Sequence, residues 1–252
     1  MTPIRICNIA LAALLISAAA TAVAPADAAK KTKPAKAAKA KAPGAGLKAE
    51  QVADLYIQVQ LKDDVEAAKR LNDYARPEFS GKDSIDLAEL AQTQQSYQTQ
   101  YEVFADGLIA GMPKVKAKKT KPALVSAMLA QSKAAASSEC HAVSSKNRPN
   151  EYVKGQIIAD VSYECRVPAI EGGLKQRLES KGVPEKINTK TALAVFTDYQ
   201  KAFTDVGDKT RVINGTLSLY GFPGRPWITS GAGEITQVVT DGMLNTPTAA
   251  GE

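Results

Sequence analysis

From Val153 to Val167 the chain alternates without a slip. One set of positions is Val153, Gly155, Ile157, Ala159, Val161, Tyr163, Cys165 and Val167. The interleaved set is Lys154, Gln156, Ile158, Asp160, Ser162, Glu164 and Arg166, in which only Ile158 is apolar. Successive side chains of a strand point to opposite faces. This segment therefore reads as a strand with one face in a core and the other in water, and the remaining chain must supply an apolar layer for one side of it.

The residues before it supply helices. Val52, Leu55, Tyr56 and Val59 fall at three- and four-residue spacing, one buried helical face. Asp63-Asp64 reads as a break and a new N-terminus, with Val65, Ala68 and Leu71 on the next face. That second helix stops near Arg76, because Pro77 disfavours helical geometry in the residue before it. Asp83 or Ser84 can cap a third helix by accepting from free amides. Its apolar stripe is Leu87, Leu90, Tyr97, Tyr101 and Phe104, ending near Gly107 or Gly111. A fourth helix is expected from Pro122 to about Ala136, with Leu124, Met128 and Leu129 inward.

After the alternating segment, strands are expected near Ala192–Tyr199, Arg211–Tyr220 and Pro226–Val238. Gly221-Phe222-Pro223-Gly224-Arg225 is the turn between the last two. Helices first and strands afterwards imply an α+β fold, with N-terminal helices packed on a C-terminal, mostly antiparallel sheet of four to five strands.

The N-terminus reads as an address. Arg5, a largely apolar run from Ile9 to Ala20 and the small residues of Ala26-Asp27-Ala28 form the pattern of a secretory signal peptide over residues 1–28. The run is shorter than the 18 to 20 or so residues that cross a bilayer, although extension through Ala24 leaves an uncleaved anchor as the rival reading. Cys7 precedes the run, so lipoprotein processing does not fit. The alanine-rich segment has bacterial character, and the expected location is periplasmic or secreted.

The formal net charge of +6 is misleading. Residues 29–48 carry seven lysines (Lys30, Lys31, Lys33, Lys36, Lys39, Lys41, Lys48) and no acid, whereas from Ala49 onward 24 Lys and Arg face 25 Asp and Glu, a net charge of −1. Lys, Ala and Pro cannot bury enough surface to offset conformational entropy, so 29–48 is expected to be a disordered linker. A single globular domain over 49–245 and a flexible tail over 246–252 complete the organisation. The linker is either a solubilising spacer or an electrostatic contact to an anionic envelope surface, where each lysine contributes on the order of 1 kcal/mol. The pentapeptide Lys-Lys-Thr-Lys-Pro occurs at 30–34 and again at 118–122, within a second lysine-rich stretch free of acids. No aromatic residue interleaves with either cluster, so neither is a stacking platform for nucleic acid.

Beyond the signal two cysteines remain, Cys140 and Cys165, and in an oxidising compartment they are expected to pair. A tight hairpin at Asn147-Arg148-Pro149-Asn150 would set Cys140 opposite Ile157, with Cys165 roughly 26 Å further along. A disulfide needs Cα atoms about 4.4 to 6.8 Å apart. The expectation is therefore the bridge and no tight hairpin.

The search for chemistry is short. His141 is the only histidine and reads as a polar edge residue. No cysteine, histidine and carboxylate spacing suits zinc, and no Gly-x-Ser-x-Gly elbow occurs. Gly231-Ala232-Gly233 lacks the third glycine and the following helix of a dinucleotide site, and reads as a bulge. Tyr199, Tyr220, Phe222 and Trp227 either line a ligand pocket or are core and hairpin packing. No cofactor or metal is implied.

Leu-Lys-Asp-Asp-Val-Glu-Ala-Ala-Lys-Arg-Leu at 61–71, followed by Pro77-Glu78-Phe79 and a strand-rich end containing Trp227, resembles exported domains of the nuclear transport factor two-like superfamily. The resemblance covers some 30 residues plus element order, and the chain departs from it in having a long helical stretch where an early strand is usual. It implies a cone-shaped pocket between helices and sheet. Fold alone gives no function. The expectation is a non-enzymatic accessory protein that binds a protein or an apolar ligand near an anionic envelope surface. The alternative is an exported enzyme using a pocket carboxylate as general base.

Overall fold

The computed structural model describes residues 46–170 and 187–244. The expected signal peptide, every linker lysine except Lys48 and the expected tail at 246–252 lie outside the described residues.

The helices α1 (Ala49–Lys62), α2 (Val65–Ala75), α3 (Leu87–Ala110) and α4 (Ala117–Ala136) come first, with a 3-10 turn at Arg76–Phe79. The strands β1 (Glu139–Pro149) and β2 (Ile157–Pro168) follow, then α5 (Thr189–Thr204), β3 (Thr210–Gly221) and α6 (Glu234–Leu244). Among the described residues the strands form one antiparallel sheet in the order β1-β2-β3. The α+β class is as expected.

Among the described residues the sheet has three strands, not the four to five expected. Ala192–Tyr199 is helical because Ala192, Val195, Phe196, Tyr199 and Phe203 share one buried face of α5, and the Asn188 side chain caps the helix by accepting from Thr191 N at 3.0 Å. Pro226–Val238 yields only a single bridge, Ile228 to Tyr220, before the chain turns into α6. There Ile235, Val239 and Met243 recur every fourth residue and are buried. In both segments tertiary packing of one face overrides β-branched propensity.

The leading helices follow their stripes. α1 buries Val52, Leu55 and Val59, and also Ala53, Ile57 and Leu61. Asp63 turns the chain in the left-handed region (φ 48°) and Asp64 caps α2 by accepting from Ala67 N at 2.9 Å. The third helix starts later than expected. Asp83 is held by Arg76 at 2.7 Å, and the side-chain Oδ1 of the buried Asn72 accepts from Ser84 N and Ile85 N. Asp86 caps α3 instead, accepting from Ala88 N and Glu89 N. α4 begins at Ala117 rather than Pro122, with the proline inside its early turns.

β2 is central, and its inward set of Ala159, Val161, Tyr163, Cys165 and Val167 is fully buried. The alternation predicts this face from Ile157 onward, whereas Val153 and Gly155 belong to the connection before the strand. Ile158 is buried too, but on the opposite face, between Arg148 and Tyr220 in the ladder. Facing the inward set are Leu71, Leu124, Met128, Phe196 and Tyr199, so side chains fill the space between helices and sheet.

Gly215 is opposite Tyr163 in the ladder. A Cβ at that position would lie 2.2 Å from the tyrosine ring, so the ring lies flat across the strand only because the residue is glycine. Replacing Gly215 by Ala is expected to cost about 1–3 kcal/mol through overpacking. Thermal unfolding should record a drop of several degrees, with Gly233→Ala, where a Cβ meets open space, leaving the midpoint nearly unchanged.

Candidate functional site: a disulfide-locked sheet, an aromatic clasp and a basic end

The disulfide Cys140–Cys165 is present, linking residues directly opposite in the β1–β2 ladder with Cα atoms 4.0 Å apart. The expected failure of a tight hairpin is also found. Asn147, Arg148 and Pro149 remain in β1, and the reversal occurs over 150–156, closed by Asn150 N donating to Gln156 O and opened to a left-handed backbone at Gly155. Cys165 is fully buried and Cys140 partly so. Just beyond Cys140 the register shifts at a bulge between Ala142 and Ser144. α1 covers that irregularity: Ala142 N donates to Asp54 at 2.7 Å and the Ser145 hydroxyl to Glu50 at 2.6 Å. The serine's hydrogen bond holds the Glu50 carboxyl below its ordinary pKa.

The four aromatic residues proposed as pocket lining do not converge. Tyr199 is fully buried, donates to Gln131 Oε1 at 2.9 Å and tilts against Phe203. Gln131 in turn donates to Thr240 at 3.5 Å, so a buried polar chain ties α5 and α4 to α6. Burial pushes the Tyr199 phenol well up, with Asp241 adding to the shift. Tyr220 lies on the outer face of the sheet, beside Ile158. Phe222 and Trp227 lie in the connection after β3.

That connection forms a clasp against α1 and α2, in which Tyr74 is the member that the sequence pattern does not mark. Trp227 N donates to the Tyr74 hydroxyl at 2.8 Å. Tyr56 engages the backbone of Thr229. Arg225 grips Glu78 through two hydrogen bonds of 2.6 and 2.5 Å, with its guanidinium 5.5 Å from the Phe222 ring centre. Burial raises both Tyr56 and Tyr74 above their ordinary values. These polar groups are spent on one another, so the cluster fastens the loop to α1 and α2. Pro77-Glu78-Phe79 and the Gly221–Arg225 turn are visible in the sequence, but their meeting across 147 residues is not.

Other singled-out residues have plain placements. His141 is exposed on the outer sheet face, opposite Glu164. The Gly231-Ala232-Gly233 segment is the entry to α6, not a bulge, so a helix does follow it. The Glu234 carboxyl sits close over Gly231 at that helix start, where the helix dipole would otherwise favour a bound anion. Tyr163, buried beneath the sheet, has its phenol pushed up to about 12 by burial, with Glu234 adding to it. Asp63, at the break between α1 and α2, accepts from the Tyr97 hydroxyl. An open cleft of about 370 Å³ lies between α5 and the ends of β2 and β3, where Asp198 and Asp205 are set among Lys201 and Lys209. Among the described residues no cluster of His, Cys, Asp and Glu is arranged to hold a metal ion, and no helix is long and apolar enough to cross a membrane.

The second copy of the pentapeptide becomes a surface. Lys116 N donates to the Thr189 hydroxyl at 2.9 Å, and the same hydroxyl donates to Lys114 O at 3.4 Å, joining the starts of α4 and α5. The helices run parallel from there, as the deeper Gln131–Tyr199 contact requires. Lys114, Lys116, Lys118 and Lys119 are exposed and make no ion pair among the described residues, and Lys190 is exposed nearby, while Lys121 is paired with Asp106 at 2.8 Å. The α4 N-cap is Lys116, with no capping side chain and no acid in the first turn. Positive charge at a helix start opposes the helix dipole by about 0.3–1 kcal/mol per group. The domain therefore tolerates an unfavourable arrangement here.

Removing the disulfide by Cys140→Ala together with Cys165→Ala is expected to cost about 3 kcal/mol for a loop of this length, read as a lower urea midpoint. Intact mass under non-reducing conditions should show both thiols oxidised. On the outer face, Asp160 is held below the ordinary carboxylate range chiefly by the hydrogen bond from Arg148, against the opposing effect of burial and with help from Ser218. The unfolded chain binds this proton more readily than the folded one. The contribution is therefore complete above about pH 4 and is lost as pH falls through the folded-state pKa. Asp160→Asn should flatten the acid limb of a melting-temperature profile without changing its shape above pH 5 or so.

No family model, no curated protein and no solved structure matches this chain.

Proposed function

We propose that this chain is an exported bacterial accessory protein without catalytic activity. Its disulfide-stapled domain is held at an anionic surface of the cell envelope by the lysine-rich arm at 29–48, and it binds a partner protein or an apolar ligand there. The observation that carries this reading is the basic end of the folded domain. The motif that begins the arm recurs at 118–122, where exposed lysines crowd two helix starts and, Lys121 apart, find no ion-pair partner among the described residues. A domain that is neutral over 49–245, with 24 Lys and Arg against 24 Asp and Glu, thus gathers positive charge at one place, and phosphate-bearing headgroups are its natural complement. The internal disulfide supports a compartment in which thiols are oxidised.

The alternative is an exported enzyme with a pocket carboxylate as general base. That role needs a carboxyl raised toward neutrality by burial. The resolved carboxyl shifts, at Glu50 and Asp160, are both downward. The well-enclosed Glu78 is gripped by Arg225, and Asp63 already accepts a hydrogen bond from the Tyr97 hydroxyl. These pairings favour the binding reading.

Vesicle sedimentation tests it. Protein recovered after expression of the full chain should bind vesicles rich in anionic phospholipid and ignore zwitterionic ones, with binding lost as ionic strength rises from about 0.05 to 0.5 M. Deleting 29–45, which leaves Leu47 on the core and Lys48 capping α1, should weaken that binding about tenfold or more without moving the melting temperature, since a contribution near 1 kcal/mol per lysine is being removed. Changing Lys114, Lys116, Lys118 and Lys119 to Gln should weaken it further. Binding that survives both changes at low salt would show that neither lysine cluster is the contact.

A further inference from the structure

The two edges of the sheet are built differently. β1 is guarded: it carries a bulge, its Ala142 N–H is taken by Asp54 on α1, and its outer end bears Lys146, Arg148 and Pro149. Bulges, lysines and prolines are devices that prevent an edge from pairing with another strand. β3 has none of them between Val212 and Ser218. Its register against β2 runs from Pro168↔Thr210 to Ile157↔Gly221 with no irregularity, and Val212, Asn214, Thr216 and Ser218 are uncharged.

The direction of the open backbone groups follows from one contact. Tyr220 gives its N–H to Ile228 O at 2.7 Å and takes Ile228 N–H at 2.9 Å, so both its groups point away from β2. Alternation along an unbroken strand turns the N–H and C=O of Val212, Asn214, Thr216 and Ser218 the same way. Among the described residues none of these eight groups has a hydrogen-bond partner. Val212 is 55% exposed, and Asn214 and Thr216 are exposed as well. The open stretch is bounded by the Ile228 bridge at one end and by Arg211, which donates to Ile170 O, at the other. Its centre is Gly215.

We propose that this edge pairs antiparallel with the same edge of a second copy of the chain, making a continuous six-stranded sheet across a two-fold axis at Gly215. The stretch is self-complementary: Val212 falls opposite the partner's Ser218 and Asn214 opposite the partner's Thr216. Four such pairs exchange both of their bonds, so every open N–H on each copy meets an open C=O on the other. No charge is brought against a like charge. An isologous contact of this kind closes after two copies, so it yields a dimer and not a fibre. The inference is independent of the function proposed above.

The test uses protein recovered after expression of the full chain, followed by sedimentation velocity from about 10 μM to 1 mM, a range suited to an interface made mainly of backbone bonds. The expected result is a reversible dimer in which the amides of Val212, Asn214, Thr216 and Ser218 exchange with solvent at least tenfold more slowly than in the dilute monomer. The double variant Asn214→Lys, Thr216→Lys places like charges opposite each other and should weaken dimerisation at least tenfold. Asn214→Glu, Thr216→Glu should do the same, and mixing the two variants should restore a heterodimer. Ser162→Lys, on the exposed face of the central strand, controls for folding and should dimerise normally. A protein that stays monomeric throughout the range, leaving the edge to water or to a strand of another protein, overturns the proposal. So does a dimer whose four amides exchange freely, or one unaffected by the paired lysines.

Discussion

The burial of one side of β2 is the constraint to which the other parts of this domain answer. Its inward residues from Ala159 to Val167 are shielded from both flanks and from below, which fixes how β1 and β3 align and which helix faces turn toward the sheet. A slip of one residue would send Asp160, Ser162 and Glu164 into the core. The close approaches at Tyr163–Gly215 and Ile213–Gly242 show how little slack the layer has: a single methyl group at either glycine would collide with its neighbour.

Polar groups inside the domain are consumed as fasteners. Asn72 organises the turn before α3, Gln131 ties three helices through Tyr199 and Thr240, and Asp54 and Glu50 hold α1 to the irregular strand. The starts of α4 and α5 differ in kind. Several lysines there are exposed and, among the described residues, have no ion-pair partner, so they contribute little to holding the fold and remain available to other molecules.

Much of the architecture was legible in residue spacing. The faces of α1 and α2 follow from Val52, Leu55, Val59, Ala68 and Leu71, and β2 from its strict alternation. β1 left no such trace, because it is an edge strand: its outer face is polar, and its inward positions Asn147 and Pro149 lie beyond the helical layer and are exposed. α5 and α6 were hidden for the opposite reason. Val195, Phe196, Ile235 and Val239 suit either geometry, and only the partners they meet decide. The candidate site was less visible still. The lysine repeat could be read from sequence, but the joining of two helix starts by Thr189 depends on contacts 73 and 75 residues apart. The aromatic residues suggested a pocket, yet their hydroxyl and amide groups find partners on α2 and α4 that no local pattern announces.

Because the sulfur bridge joins residues directly across from one another, it carries the alignment of the hairpin in covalent form. An oxidised chain that has lost every other contact still holds Cys140 against Cys165, and any ladder that zips outward from that point inherits the native pairing. The connection of β1 to β2 is thus remembered through denaturation, while the seating of the helices must be found anew each time.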